Sequence, residues 1–381
     1  MRKVKVGVIG CGMISEVYLS NLTGMFENIL EVLACADILA DAANKRAEQF
    51  GSMAVSVDDL IADPAIEVVL NLTTPASHYS ISKRALTAGK HVYSEKPLAA
   101  SVDEGKELVA LAKEKGLFLC AAPDTFLGAG MQTCRSLIEN GAIGIPIAAQ
   151  GFMLAYGPER FHPNPEFFYK DNAGPLLDMG PYYLTALTAL FGPVCRVNGL
   201  SSALFGTRTV LNEKSPNYLA EFPCCVGTYV SGGIEFESGL TANLTATWDM
   251  PFPYWESGFP LLTVFGNEGT LVLPDPNMYG GIGGSPWEEP GKFVKLRLSA
   301  GEFEEIPIKD GYTTNSRGLG LADMAWCILN GGKPKASGEI ALHVLETMLG
   351  ILKSSKSGMC HVMETSCIQP DPLYDKAPFA L

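Results

Sequence analysis

The segment Val4-Lys-Val-Gly-Val-Ile-Gly10-Cys-Gly12-Met-Ile-Ser15 is the strongest indication of the fold of this chain. A short β-branched run, Val4–Ile9, leads directly into two glycines and the start of a helical pattern. Gly10 permits a tight turn, and Gly12 lets the backbone approach a pyrophosphate resting on the helix N-terminus. Ser15 replaces a third glycine and is small enough for close helix–strand packing. This strand–turn–helix context predicts a dinucleotide-binding site, whereas an isolated G-x-G would indicate only a turn.

The first third of the chain continues the alternation of short strands with amphipathic helices that is typical of βαβ units. The capping box Ser101-Val-Asp-Glu104 opens a helix that ends at Gly116, and Gly51 and Gly89 close two earlier helices. We predict a Rossmann-type, doubly wound parallel sheet over residues 1–124. Its strands are expected at Val4–Ile9, Glu31–Ala36, Val68–Leu72, His91–Ser94 and Leu117–Ala121, with a weaker one near Met53–Val57.

The pattern of predicted helices and strands changes after about residue 125. Few helices and many alternating strand candidates predict a second, α+β domain over residues 125–381 with a mostly antiparallel β-sheet flanked by helices. Its helices are expected at Ala129–Asn140, Leu176–Phe191, Gly318–Leu329 and Gly338–Ser355. The Gly- and Pro-rich segment Asn277–Gly291 is expected to be an exposed loop.

The composition sets limits on the partners of this protein. Its 381 residues, 47% of them hydrophobic, suit two globular domains. A formal net charge of -13 disfavours nucleic acid and any heavily anionic substrate, although a local basic pocket could override it. The most apolar stretch, Leu176–Val194, is a poor membrane span because it contains Asp178, Gly180 and Pro181. We therefore expect a cytoplasmic protein without a membrane partner.

The ten cysteines are scattered along the chain, with no C-x-x-C pair and no Cys/His spacing that suits zinc. Cys224 and Cys225 are adjacent, which fits strand alternation better than a ligand pair. We therefore expect no metal and reduced thiols.

In a parallel sheet, ligands bind beyond the carboxyl ends of the strands. Asp37 ends the second predicted strand, where its carboxylate can bind ribose hydroxyls and repel a 2′-phosphate, so NAD is favoured over NADP. Asp37 could also be a surface or helix-capping residue. His78 could contact the cofactor or be a capping or packed residue. The predicted cofactor-binding residues are Gly10, Gly12, Met13, Ile14, Asp37, Thr73, Thr74, Pro75, His78, Glu95, Lys96 and Asp124.

Lys96 is the strongest single candidate for chemistry. A lysine just before a helix is electrostatically misplaced, since helix N-termini favour negative charge. Pro97 restricts Lys96 to extended conformations and allows a cis bond, which fixes the direction of the side chain. Beside a positively charged nicotinamide its pKa should fall, which suits proton exchange with a substrate hydroxyl. The alternative is an exposed, solubilising lysine.

Three segments resemble the glucose–fructose oxidoreductase/inositol dehydrogenase/rhizopine catabolism (Gfo/Idh/MocA) family. They are the opening Gly-Val-Ile-Gly-Cys-Gly, the run Gly89-Lys-His-Val-Tyr-Ser-Glu95-Lys96-Pro97-Leu98, and Gly174-Pro-Leu-Leu-Asp178-Met-Gly180-Pro-Tyr182. The similarity extends over essentially the whole chain, including Asn315-Ser-Arg317-Gly318. It implies a Rossmann domain, an open antiparallel sheet in the second domain, and hydride transfer on sugars or polyols. It also implies a homodimer or homotetramer formed through that sheet.

By position, the resemblance makes Lys96 the active-site lysine and Asp178 the substrate-orienting aspartate. Tyr182 stands where the family often has histidine, which removes the usual acid/base side chain. A phenol can take that role when a nearby ammonium stabilises its ionised form, and Lys96 is the candidate. If the helix begins at Gly174-Pro175, Asp178 and Tyr182 lie one turn apart on one face, although Pro181 could itself open the helix. Tyr182 could alternatively be a core residue.

The loop before this helix is rich in aromatic and polar side chains, which suits carbohydrate recognition as well as simple coverage of a sheet edge. Its candidate substrate-binding residues are Arg160, His162 and Tyr169, which join Lys96, Asp178 and Tyr182. The sequence thus favours an NAD-dependent sugar or polyol dehydrogenase or reductase. A non-catalytic NAD-binding sensor, an NAD-dependent glycosidase and a dihydrodiol dehydrogenase remain alternatives.

Overall fold

The structure is a computed structural model that describes residues 2–283, 289–299 and 301–373. Within these residues, six parallel strands form the first sheet in the order β3-β2-β1-β4-β5-β6. The direction of winding reverses between β1 and β4, so the carboxyl ends of these strands border a crevice. The elements are β1 (Val4–Ile9), α1 (Ser15–Thr23), β2 (Leu30–Ala36), α2 (Ala40–Phe50), β3 (Met53–Ala54), α3 (Val57–Ala62), β4 (Val68–Asn71), α4 (Pro75–Thr87), β5 (His91–Ser94), α5 (Val102–Lys115) and β6 (Leu119–Ala121).

The predicted doubly wound parallel sheet is confirmed. Strands β1 and β5 have the predicted bounds, and β3 is shorter than expected. The capping box of α5 forms only in part. The Ser101 Oγ accepts a hydrogen bond from the Glu104 N–H at 3.3 Å, but the Glu104 carboxylate accepts from the Ala100 N–H. Gly116 ends α5 in the left-handed conformation, as expected.

Nine strands form the second sheet within the described residues, in the order β16-β15-β14-β13-β7-β12-β11-β8-β17. Only β7 and β12 are parallel neighbours, so the predicted mostly antiparallel sheet is confirmed. Helices α7 and α9 cover one face of this sheet. The elements are α6 (Ala129–Glu139), β7 (Pro146–Leu154), α7 (Pro175–Phe191), β8 (Val194–Ser202), β9 (Thr207–Thr209), β10 (Glu221–Pro223), β11 (Tyr229–Phe236), β12 (Thr241–Thr247), β13 (Leu262–Gly266), β14 (Gly269–Leu273), β15 (Phe293–Leu298), β16 (Glu304–Pro307), α8 (Leu319–Asn330), α9 (Gly338–Ser357) and β17 (His361–Val362).

The last two helices return to the first sheet. Helix α8 packs against β1 and β6, and α9 packs against α5 as well as β8. The Ala121 N–H at the end of β6 donates to the Ala336 carbonyl at 3.1 Å. One continuous hydrophobic core therefore joins the two sheets, and the division near residue 124 separates sheets rather than independent cores.

The segment Asn277–Gly291 departs from its prediction. Its residues 284–288 lie outside the described residues. On their N-terminal side, Tyr279 is buried and its hydroxyl donates to the buried Asp124 carboxylate. The expectation of an exposed loop is wrong for this part, because a tyrosine inside it supplies a donor to the core.

Among the described residues, no helix is both long and apolar enough to cross a membrane.

The glycine pair after β1 offers a matched test of the fold. Gly10 has φ +101°, and a Cβ there would lie 2.5 Å from the Leu72 carbonyl carbon. A Cβ on Gly12 would meet nothing within 4 Å. We expect Gly10→Ala to lower the free energy of unfolding by at least about 2 kcal/mol, through strain and overlap. Gly12→Ala should leave it within about 0.5 kcal/mol of the parent. Urea unfolding followed by circular dichroism measures both, and equal stabilities would contradict the argument.

Candidate active site

The glycine loop opens onto the crevice at the carboxyl end of β1. The space beside Gly12 that a side chain would fill is open, and Met13 is 75% exposed. Helix α1 begins at Ser15 with no side-chain cap, so no side chain competes for the donors of its first turn. The loop therefore has the features that a pyrophosphate requires, namely room, backbone donors and the positive end of a helix.

Ser15 replaces the third glycine without opening the structure. Its side chain is fully buried, and its Oγ donates to the Gly12 carbonyl at 2.6 Å. The Arg46 Nε donates to the same Oγ at 3.1 Å. The small hydroxyl thus holds the glycine turn from the protein interior and does not fill the crevice.

Asp37 lies directly beside the glycine loop. Its Oδ2 accepts a hydrogen bond from the Cys11 N–H at 2.7 Å, and its Oδ1 accepts from the Leu39 N–H at 2.9 Å. The side chain is half-buried at the carboxyl end of β2, as predicted for a ribose-binding carboxylate. The hydrogen bond from the Leu39 N–H also makes Asp37 the first residue of the turn that leads into α2.

The loops after β4 and β5 continue the same edge of the sheet. Thr74 and Pro75 are exposed, and the Thr73 Oγ1 donates to the Asn71 Oδ1 at 2.7 Å. After β5, the Glu95 carboxylate accepts from the Tyr18 hydroxyl of α1 at 2.7 Å. The switch-point topology thus places the predicted residues of four strand ends along one crevice.

The side chains of two predicted cofactor-binding residues, His78 and Asp124, point into the protein interior instead. His78 is 1% exposed, and its ring nitrogens face the carbonyls of Pro97 and Thr73. Asp124 is 1% exposed and accepts hydrogen bonds from the Tyr279 hydroxyl and from the N–H groups of Gly318 and Gly320. Internal partners occupy the polar atoms of both side chains, which argues against the predicted direct cofactor contact. Position at a strand end could not reveal those partners.

Lys96 meets Asp178 and Tyr182 across the boundary between the two sheets. Its Nζ donates to the Asp178 Oδ1 at 2.7 Å and to the Asp178 carbonyl at 2.8 Å. The same Nζ lies 5.4 Å from the centroid of the Tyr182 ring. Lys96 is 16% exposed and Tyr182 8% exposed, so the ammonium and the phenol share a largely dehydrated site. A solubilising lysine is excluded by this burial.

Helix α7 positions the two partners of the lysine. It begins at Pro175, after Gly174 with φ +102°, so Pro181 lies inside the helix and does not open it. Asp178 and Tyr182 are one turn apart and both face Lys96. The neighbouring Tyr183 is fully buried and points into the packing.

The charge of Lys96 is balanced by this environment. Burial opposes the ammonium, but electrostatic interactions with Asp178, Tyr182 and Glu95 outweigh that effect and raise the pKa of Lys96. The chain by itself therefore holds Lys96 firmly protonated, opposite to the fall expected beside a nicotinamide cation. Lys96 is also not at a helix start, since α5 begins at Val102. Its partner is the Asp178 carboxylate and not a helix dipole.

The loop before α7 does not supply all of its predicted substrate contacts. Tyr169 is fully buried, its hydroxyl donates to Glu159, and the Arg208 guanidinium lies 5.4 Å from its ring centroid. The hydroxyl and ring of Tyr169 pack inside the loop, which argues against the predicted substrate contact. Arg160 is exposed, and His162 is half-buried with its ring edge-on to the rings of Phe167 and Phe168. Among the described residues, no hydrogen bond joins either side chain to the Lys96 site.

The structure adds a cation that the sequence analysis did not assign. The Arg317 guanidinium donates to the side-chain oxygens of Asn315 at 2.7 Å and Asn277 at 2.9 Å. Burial opposes its charge, but interactions with Tyr182 and Tyr279 outweigh it and raise the pKa of Arg317. The Asn315-Ser-Arg317-Gly318 motif was visible in the sequence, but its distance from Tyr182 along the chain concealed the contact. Among the described residues, no cluster of metal-ligating side chains occurs.

A dinucleotide crevice beside a largely buried ammonium and phenol, with a carboxylate paired to the ammonium, defines a dinucleotide-dependent oxidoreductase. Residues 4–122 match the profile described as "Oxidoreductase family, NAD-binding Rossmann fold", and residues 131–272 match the "GFO/IDH/MocA C-terminal domain". The chain therefore belongs to the Gfo/Idh/MocA family, and it is an NAD-binding oxidoreductase.

Relatives with assigned activities cover most of the chain. It is 28% identical over 321 residues to a 1,5-anhydro-D-fructose reductase of Ensifer adhaerens, covering 83% of this chain and 85% of that protein. It is 31% identical over 277 residues to a dTDP-3,4-didehydro-2,6-dideoxy-alpha-D-glucose 3-reductase of Streptomyces violaceoruber, covering 72% and 73%. The solved structure of a levoglucosan dehydrogenase in complex with NADH and levoglucosan shares the fold, with a TM-score of 0.80 and 20% identity, covering 96% of this chain and 100% of that chain.

Asp124 provides a stability test at the junction of the sheets. Asp124→Ala leaves a tyrosine hydroxyl and two backbone N–H groups without their acceptor, so we expect a loss of about 3 kcal/mol in unfolding free energy. Asp124→Asn keeps an acceptor oxygen and should lose less. The exposed Asp171→Ala serves as control and should change stability by no more than about 0.5 kcal/mol. Equal urea midpoints for the two alanine variants would refute this role.

Proposed function

We propose that this protein is an NAD-dependent dehydrogenase or reductase that interconverts a secondary alcohol and a ketone on a sugar or polyol. The observation that carries the proposal is the contact of the Lys96 ammonium with Asp178 and the Tyr182 ring at the carboxyl end of β5. The named activities of the two relatives, which are reductases of sugar derivatives, support the substrate class.

The cofactor would lie along the crevice. Gly10, Gly12, Met13 and Ile14 would hold the pyrophosphate, and Asp37 would bind the adenosine ribose. Thr73, Thr74, Pro75 and Glu95 would border the remaining half, which ends at Lys96. When bound, the nicotinamide supplies or accepts the hydride that the reaction requires.

The side chains of the site would handle the proton and the developing charge. In ketone reduction, the Tyr182 hydroxyl donates its proton to the carbonyl oxygen, and in alcohol oxidation the Tyr182 oxygen takes that proton back. Because Lys96 stays protonated, its role is electrostatic: it donates to the reacting oxygen and stabilises negative charge on that oxygen and on Tyr182. Asp178 holds the ammonium in place and orients the substrate hydroxyl.

We infer that the substrate is a neutral carbohydrate or polyol. The net charge of -13 disfavours strongly anionic substrates, and the site cations already interact with Asp178 and the tyrosines. Arg160 and His162 stay candidates for the outer part of the substrate site, since they lie on the loop that leads into α7. Nucleic acid and membranes have no place in this proposal.

Exposed apolar side chains support a proposal for the oligomeric state, and the unpaired cysteines support one for the cellular compartment. The face of the second sheet away from α9 presents Leu200 at 76% exposure and Tyr229 at 38%, so we infer a homodimer or homotetramer formed through this face. All ten cysteines are unpaired, which favours the cytoplasm.

Two variants test the chemistry directly. Lys96→Ala and Tyr182→Phe should each lower kcat by about 10²- to 10⁴-fold, because each removes a group that acts on the reacting oxygen. Both should still bind NAD, as measured by fluorescence titration. The assay is the change in NADH absorbance with a panel of sugars, inositols and their keto derivatives.

Tyr183→Phe is the matched control, since it removes the hydroxyl of a neighbouring buried tyrosine that does not face Lys96. It should retain at least about half of the parent kcat. Near-normal rates in both active-site variants would refute the assignment. Saturable NAD binding without turnover of any substrate would favour the sensor instead.

Asp37 tests the cofactor preference. Asp37→Asn keeps one oxygen that can accept from the Cys11 N–H but removes the charge that repels a 2′-phosphate. We expect kcat/KM for NAD to fall about tenfold while the preference for NAD over NADP narrows. Steady-state kinetics with both cofactors gives the ratio. An unchanged ratio would show that Asp37 only organises the glycine loop.

A further inference from the structure

His78 occupies the space between the loops that follow β4 and β5. It is the fourth residue of α4 and only 1% exposed. Its Nδ1 lies 2.6 Å from the Pro97 carbonyl oxygen, and its Nε2 lies 3.0 Å from the Thr73 carbonyl oxygen. The shorter of these contacts reaches the residue that directly follows Lys96.

The two contacts are not equivalent, because both partners are acceptors. A neutral imidazole has one N–H and can donate to one carbonyl, whereas the cation could donate to both. Burial lowers the pKa of His78 despite the two backbone carbonyls, and of the charged neighbours Glu95 favours the cation while Lys96 opposes it. The ring is therefore neutral at neutral pH, and the shorter contact indicates that the proton resides on Nδ1.

The position of His78 is itself fixed. The Asn71 Nδ2 donates to the His78 carbonyl and to the Ser82 Oγ, each at 3.0 Å, which attaches α4 to the end of β4. The imidazole is therefore a rigid support, and a donor placed on it constrains the loop it reaches. That loop carries Lys96, whose Nζ must stay close to two oxygens of Asp178.

We propose that His78 is a positioning residue: by donating from Nδ1 to the Pro97 carbonyl, it fixes residues 95–97 and thereby holds Lys96 against Asp178 and Tyr182. The proposal rests on the catalytic role of Lys96 proposed above. It assigns His78 no contact with cofactor or substrate.

Two substitutions separate the two contacts. The amide nitrogen of asparagine can replace Nδ1, so His78→Asn retains the donor to Pro97. The longer glutamine places its amide nitrogen near Nε2, so His78→Gln loses the donor to Pro97 and gains one toward Thr73. We expect His78→Gln to lower kcat by about 10- to 100-fold, because the lysine is no longer held in place, with little change in the Kd for NAD. His78→Asn should keep kcat within about threefold of the parent.

The control is His91→Asn, at a half-buried histidine of the same sheet whose Nδ1 accepts from the Phe118 N–H. It should change neither kcat nor Kd, and Tm measurements show whether all variants remain folded. Equal losses of kcat in the two His78 variants, or a loss confined to His78→Asn, would overturn the proposal. A change in the Kd for NAD with unchanged kcat would assign His78 to the Thr73 loop instead and overturn it as well.

Two measurements do not require a substrate, so a failure of the proposed function can be told from a failure of this inference. The ¹⁵N shifts of the imidazole in the parent protein should show a protonated Nδ1 and a bare Nε2, and the reverse tautomer would refute the bond to Pro97. The rate at which an acylating reagent labels Lys96, followed by peptide mass spectrometry, should rise in His78→Gln but not in His78→Asn. Equal labelling in both variants would also refute the proposal.

Discussion

The ion pair between Lys96 and Asp178 is the interaction on which the site depends, because it joins groups from two different sheets. An ammonium taken out of water costs several kcal/mol unless an opposite charge and further acceptors compensate it. Both oxygens that accept hydrogen bonds from the Lys96 Nζ belong to Asp178, one in its side chain and one in its backbone. The lysine therefore remains charged in a dehydrated site only while α7 is docked against the end of β5.

Several buried polar contacts hold the two sheets in that relation. Asp124, at the end of the first sheet, accepts from Tyr279 and from the first turn of α8. Asn21 of α1 donates to the carbonyl of Arg317 at 2.9 Å, while the Arg317 guanidinium reaches Asn277 on the other side. These bonds are directional, and each joins segments far apart in the sequence. They give the crevice a defined geometry that apolar packing by itself would leave less specific.

The fold was predictable because its signals are local. Alternating strand and helix patterns, the glycine pair and the capping serine each act within about ten residues, so β1 and β5 appear where the sequence places them. The site was predictable in part. Lys96 was singled out from its sequence context, Asp178 and Tyr182 through a family resemblance, and the three do lie together. Asp124, His78 and Tyr169 were predicted to contact ligands, but their polar atoms have partners inside the protein. Position at a strand end or on a loop does not reveal whether a side chain turns outward or inward.

Local patterns along the chain suffice for the parallel sheet and the glycine loop, and they mark Lys96 as a candidate for chemistry. Periodicity and turn chemistry act between near neighbours, and they do not require the rest of the chain. In contrast, the tertiary structure sets the balance of charges in the site. It raised the pKa of Lys96 through Asp178, brought Arg317 beside Tyr182 and placed His78 under the Pro97 carbonyl. Such electrostatic effects depend on distance through space and on burial, and neither quantity exists until both sheets have packed together.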